Sequence, residues 1–151
     1  MEIAIIADDK KKELMTEFCF AYCGILSKHN ICATSLTGKM ISETTGLKVD
    51  RLLAGSAGAQ QITSRINFNE IDLLLYFRDA TDPSSISTAV TDELLHACDL
   101  QNVPTATNIA TADVLVRALD NGDLDWREFV NPRSAYNQRK KKPLPDLGDL
   151  I

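Results

Sequence analysis

Apolar residues along this chain fall into short runs, separated by polar and glycine-bearing stretches. Residues 3–7 form the first run, rich in β-branched side chains and closed by Asp8 and Asp9, and the pattern predicts a buried strand. Residues 31–33, 49–53, 71–77 and 103–107 repeat it; within 71–77 only Asp72 is polar. Between the runs the period changes. Phe18, Tyr22, Ile25 and Leu26 recur at helical spacing, which predicts a helix to about Lys28, with Asp9 where an N-cap would stand. Further helices are predicted over 40–45, stopped by Gly46, and over 60–68, 90–100 and 110–119, the last ended by Asn121 and Gly122. The polar stretch 34–38, the glycine-bearing stretch 55–59 and residues 80–87 read as turns and loops.

Five apolar strands alternating with helices predict a three-layer α/β/α fold, a parallel sheet covered on both faces. Such sheets bind ligands in the crevice beyond the carboxyl ends of their strands. The informative residues are therefore those that follow each strand: 8–12, 34–38, 54–59, 78–79 and 107–111. There is no internal repeat. The domain is expected to occupy residues 1–130. Residues 131–151, with Pro132, Pro143, Pro145 and the basic run Arg139-Lys140-Lys141-Lys142, read as a polar and basic tail. For 143–151 two readings stay open: a flexible terminus, or a segment docked on a neighbouring subunit.

Composition narrows the picture further. A length of 151 residues suits one domain, and 44% hydrophobic with 25% charged residues is a globular balance. The net charge of -5 argues against a general nucleic-acid or membrane-surface role. No run approaches the ~20 apolar residues of a membrane span, and the N-terminus lacks the basic start of a signal peptide. A cytoplasmic protein is expected. Cys19 and Cys23 share a helical face, but a tetrahedral metal site needs two more ligands, and neither His29 nor His96 has the spacing to supply one. With Cys32 and Cys98 they are expected to be small buried apolar side chains.

At the strand ends the sequence resembles methylglyoxal synthase. Ile3-Ala4-Ile5-Ile6-Ala7-Asp8-Asp9-Lys10-Lys11-Lys12 is similar to that family's opening strand and its A-H-D-x-x-K signature, with Asp8 in place of the histidine. Leu75-Tyr76-Phe77-Arg78-Asp79 is similar to its F-F-R-D strand. The most specific match is Asn102-Val103-Pro104-Thr105-Ala106-Thr107-Asn108-Ile109-Ala110-Thr111-Ala112-Asp113, against N-I-P-x-A-T-N-x-A-T-A-[DE]. The likeness covers about residues 2–134. It implies a cofactor-free carbon–oxygen lyase that eliminates phosphate from dihydroxyacetone phosphate, assembled as a homohexamer. Such chemistry needs a base, donors to the enediolate oxygen, and a phosphate cradle.

Carried over by resemblance, Asp9 and Asp79 are the candidate catalytic residues, and Lys12, Thr34, Thr37, Gly38 and Gly55 the candidate phosphate-binding ones. The departures are specific. Where the family has S-G-P-x-G-G-D-Q this chain has Ala54-Gly55-Ser56-Ala57-Gly58-Ala59-Gln60-Gln61, and no Asp or Glu occurs between Gly55 and Asn69. General-base loss typically costs ~10²–10⁴-fold in rate. The loop after Asp79 has no histidine. In the family's T-G-T-T-G loop, Ser35 replaces a glycine and Leu36 a threonine; Ala54 replaces a serine. Asp8 could serve as a substitute base. Asp9 could orient the pocket or be a plain cap, and Lys12 could bind an anion or be solvated. The functions these residues leave open are a divergent enzyme, a non-catalytic module binding a small anionic or phosphorylated metabolite, and a structural partner of an active paralogue.

Overall fold

The computed structural model describes residues 1–81 and 86–130. The predicted tail and residues 82–85 of the loop after Asp79 lie outside them. The elements in chain order are β1 (Glu2–Ala7), a 3₁₀ turn (Asp9–Lys11), α1 (Lys12–Ala21), α2 (Cys23–Leu26), β2 (Asn30–Ala33), α3 (Ser35–Thr45), β3 (Val49–Arg51), α4 (Gly55–Asn67), β4 (Leu73–Phe77), α5 (Thr88–Leu100), β5 (Thr105–Ala106), α6 (Ile109–Asp120) and α7 (Arg127–Val130).

The five strands form one parallel sheet in the order β3-β2-β1-β4-β5, as the alternation predicts. β1 is central. It pairs with β2 (Ile3 opposite Ile31) and with β4 (Ile3 opposite Leu73). The chain leaves β1 on one side for β2 and β3, then crosses back for β4 and β5, so a topological switch point falls between β1 and β4.

Strand alternation sorts the core into two halves. Ile3 and Ile5, with Leu73, Leu75 and Phe77, face α1, α3 and α6 through Met15, Phe18, Ile41, Val116 and Leu119. Ala4 and Ile6, with Leu74 and Tyr76, face α4 and α5 through Ile62, Ile66, Val90 and Leu94. Each fully buried aliphatic side chain contributes about 1.5–3 kcal/mol relative to exposure, so the three layers have ample driving force. Cys19, Cys32 and Cys98 are buried free thiols and Cys23 is half-buried; burial pushes Cys19 and Cys32 up to about 12.

Several boundaries differ from the pattern-based reading: β3, β4 and β5 are shorter than the runs 49–53, 71–77 and 103–107, and the helices differ as well. The stretches 34–38 and 55–59 are first turns of α3 and α4, not loops. Their small polar residues carry no apolar period, yet packing against β3 and its following residues keeps them helical. Asp9 is not an N-cap: it lies inside the 3₁₀ turn, Asp8 precedes that turn, and neither supplies a side-chain cap bond. The first predicted helix is divided at Tyr22 into α1 and α2.

One buried clasp holds the end of the described chain. Arg127 is fully buried and donates through Nη1 to the carbonyls of Gln101 (2.9 Å) and Asn102 (2.9 Å), and through Nη2 to that of Ile71 (3.0 Å). Its Nε stands 3.6 Å from Asp72 Oδ1, while Asp72 Oδ2 accepts the Glu2 amide at 2.9 Å. Trp126 lies beside it, its ring 5.5 Å from the guanidinium carbon.

Candidate active site at the carboxyl ends of the strands

The amino ends of α3 and α4 come together just past β2 and β3. Their N-cap residues, Thr34 and Ala54, make no side-chain cap bonds, and the first amide of α3, Ser35, donates to the Leu53 carbonyl at 3.2 Å. Gly55 starts α4 at φ 57°, a left-handed conformation that a side chain would strain. Gly58 lets the helix close in: a Cβ there would meet the Leu53 carbonyl oxygen at 2.0 Å and Thr34 Cγ2 at 2.9 Å. Gly38 does the same for α3 against Arg51 Cγ, at 2.8 Å.

Between these helix ends and β1 lies a cavity of about 250 Å³. Asp9, Lys12, Thr34, Thr37 and Gly55 all line it. The structure thus gathers five of the residues picked from sequence into one concave site. Gly38 stands behind it as a packing residue, and Asp8 and Asp79 are outside its lining. A larger cavity of about 760 Å³ opens at the opposite, amino ends of the strands, between Glu2, Lys48, Arg65 and Glu70. It is away from the crevice where parallel sheets hold ligands.

Lys12 is the cation of the smaller cavity. Its Nζ donates to the Ala7 carbonyl (2.8 Å) and to Asp9 Oδ1 (2.8 Å). An ammonium has three donors, so one is left for a ligand. Its side chain is only 13% exposed while that of Asp9 is 72% exposed, so the pair holds the ammonium at the cavity rather than in solvent. Thr34 and Thr37, both buried, have their hydroxyls 3.2 Å apart on the same side. Helix-terminal amides, hydroxyls and an ammonium are the groups that can hold an anion.

Asp8 and Asp79 form the neighbouring network at the switch point. Asp8 is 2% exposed; its Oδ1 accepts the Tyr76 hydroxyl at 3.0 Å and its Oδ2 the Asp79 amide at 2.8 Å. Burial pushes the Tyr76 phenol up to about 12, with the Asp8 charge adding to the effect. Asp79 Oδ1 accepts from the Thr81 hydroxyl (2.7 Å) and amide (3.0 Å). Those bonds, helped by Lys10 and Lys11, hold its carboxyl below the usual range. Tyr76 had no signal in the sequence beyond standing where the F-F-R-D pattern has phenylalanine.

The residues after Gly58 offer no acid. Gln60 is exposed on α4, and Gln61 Oε1 accepts the Leu53 amide at 2.8 Å, a structural bond.

The fold and this site define a parallel α/β protein with a candidate ligand cavity at the carboxyl ends of its strands. Comparison with known proteins makes that specific. The chain is 51% identical over 142 residues to a methylglyoxal synthase of Caldicellulosiruptor saccharolyticus, covering 93% of this chain and 100% of the relative. A methylglyoxal synthase of Alkaliphilus metalliredigens is 46% identical over 134 residues, covering 88% and 99%. Among solved structures, a methylglyoxal synthase from Elizabethkingia anophelis superposes with a TM-score of 0.72 at 28% identity, covering 96% of this chain and 93% of that one. No family model matches. The chain belongs to the methylglyoxal synthase family. Among the described residues no helix is long and apolar enough to cross a membrane.

Proposed function

We propose that the protein binds a small phosphorylated metabolite in the cavity between Lys12 and the amino ends of α3 and α4, and turns it over far more slowly than the family's reaction requires. The observation that carries this reading is a partly retained set of anion-holding groups beside a stretch with no base. Lys12, Thr34, Thr37 and Gly55 line one cavity, whereas the stretch between Gly55 and Asn69 has no carboxylate. Asp8 does not fill the gap in this reading, because both its oxygens are committed to donors away from the cavity. Without a base the carbon-bound proton of dihydroxyacetone phosphate stays in place, and elimination of phosphate has no enediolate to start from.

The second reading is catalysis by the family's elimination with a base supplied from elsewhere in the site. It is supported by the 51% identity to a named synthase across nearly the whole chain and by the presence of Asp9 and Asp79. Phosphate release from dihydroxyacetone phosphate by the purified protein, beside an Asp8→Asn/Asp79→Asn double variant, separates the two. The expected result is no release above the variant, together with thermal stabilisation by inorganic phosphate that Lys12→Ala abolishes. Turnover clearly above the variant would establish the second reading. Light scattering is the matching test of the homohexamer that the resemblance implies.

A further inference from the structure

The described chain ends at the amino ends of the strands, where three segments meet. Asn69 Nδ2 donates to the Val130 carbonyl at 2.6 Å, which ties the end of α4 to that of α7. Arg127 ties α7 to the carbonyls of Gln101 and Asn102, just past α5. Next to these junctions stand exposed apolar side chains: Phe68 at 74%, Leu100 at 63% and Phe129 at 88%. Apolar surface gathered in this way marks an interaction site. Asn69 Oδ1 is buried there and accepts no hydrogen bond among the described residues. The same face is acidic. Asp99, Asp123, Asp125 and Glu128 are exposed, and none has an ion-pair partner among the described residues. The Arg127 charge is spent inside, against Asp72 and three carbonyls.

We propose that this face is the docking surface of residues 131–142 of the same chain, with Tyr136 over the apolar side chains and the basic run beside the four carboxylates. The proposal does not rest on the ligand reading above. Its basis is charge and reach. Of the chain's 16 basic and 21 acidic side chains, five and two stand after Val130, which leaves 11 against 19 before it. All five of those basic residues, Arg133 and Arg139 to Lys142, fall within 131–142, and no acid does. At about 3.3–3.6 Å per extended residue, the nine positions from Val130 to Arg139 span roughly 30 Å, enough to reach each carboxylate. Covalent attachment makes the contact intramolecular, so individually weak exposed ion pairs act at high effective concentration. A main-chain amide of the following residues would also satisfy Asn69 Oδ1.

Trp126, the chain's only tryptophan, precedes α7 and is 42% exposed, so its fluorescence reports cover on this face. Acrylamide quenching of the full chain is compared with that of Lys140→Glu/Lys141→Glu/Lys142→Glu at about 0.01 M and about 1 M salt, where the screening length is roughly 30 Å and 3 Å. At low salt the wild-type quenching constant is expected to be about twofold below that of the variant, and at high salt the two should coincide. The wild-type salt response carries the test by itself if the variant folds poorly. Equal quenching of both proteins at both salt concentrations would overturn the proposal. Protection that is lost on dilution would overturn it too, because the segment would then cover a neighbouring copy.

Discussion

The Tyr76 hydroxyl donates to Asp8 Oδ1 at 3.0 Å, joining the ends of the two central strands inside the core. Each member of the pair is 2% exposed. The buried Asp8 carboxylate thus stands beside the Tyr76 hydroxyl, and the second residue satisfies the first.

Removing the hydroxyl should expose that dependence. Tyr76→Phe leaves the Asp8 carboxylate with the main-chain amide of Asp79 as its remaining donor among the described residues. A buried acceptor deprived of its partner costs about 1–3 kcal/mol, so urea denaturation should report a loss of that size. A variant as stable as wild type would show that Asp8 does not need the pair.

Asp79 gives a pH-dependent prediction. Its folded-state carboxyl is held below the usual range, chiefly by the Thr81 hydroxyl and amide. The contribution to stability is therefore present above the unfolded aspartate value of about 4 and disappears as pH falls through the lower folded value. The stability gap between wild type and Asp79→Asn should be constant from pH 7 to about 5 and shrink in more acidic solution. A gap that persists undiminished in strong acid would assign it to something other than the carboxylate.

Backbone approach at the cavity rim is tested by Gly58→Ala. The added carbon would stand 2.0 Å from a main-chain oxygen that no rotamer change can move. Overpacking of this kind costs about 1–3 kcal/mol, and displacement of Thr34 should weaken phosphate binding as well. Gly24→Ala, where nothing lies within 4 Å, is the control and should be neutral or slightly stabilising.

Much of this was legible in the chain. The inner strands were visible because a sheet covered on both faces needs continuous apolar runs, as in Leu73–Phe77, whereas β3 carries the exposed Asp50 and Arg51. The five cavity residues were found because they sit at strand ends and match motif positions. What the sequence hid was tertiary. The first turns of α3 and α4 look like loops until Gly38 and Gly58 are seen pressed against Arg51 and Leu53. Arg127 reads as one more charged residue near a polar tail, and its complete burial comes from three carbonyls and Asp72, contributed by segments distant in sequence. Tyr76 belongs to the same class: its partner is 68 residues away.

The placement of β1 in the middle of the sheet has a kinetic consequence. β1 finds its second neighbour only when Leu73–Phe77 has been made, and pairings of such sequence separation form slowly. The Asp8 junction depends on that late step. Before it, β1, β2 and β3 can meet, but the rim of the cavity has no Asp79 behind it. The rate at which Tyr76→Phe refolds, relative to wild type, would report how early the two strand ends lock together, and a pulse of phosphate added during refolding would show whether ligand capture waits for that event.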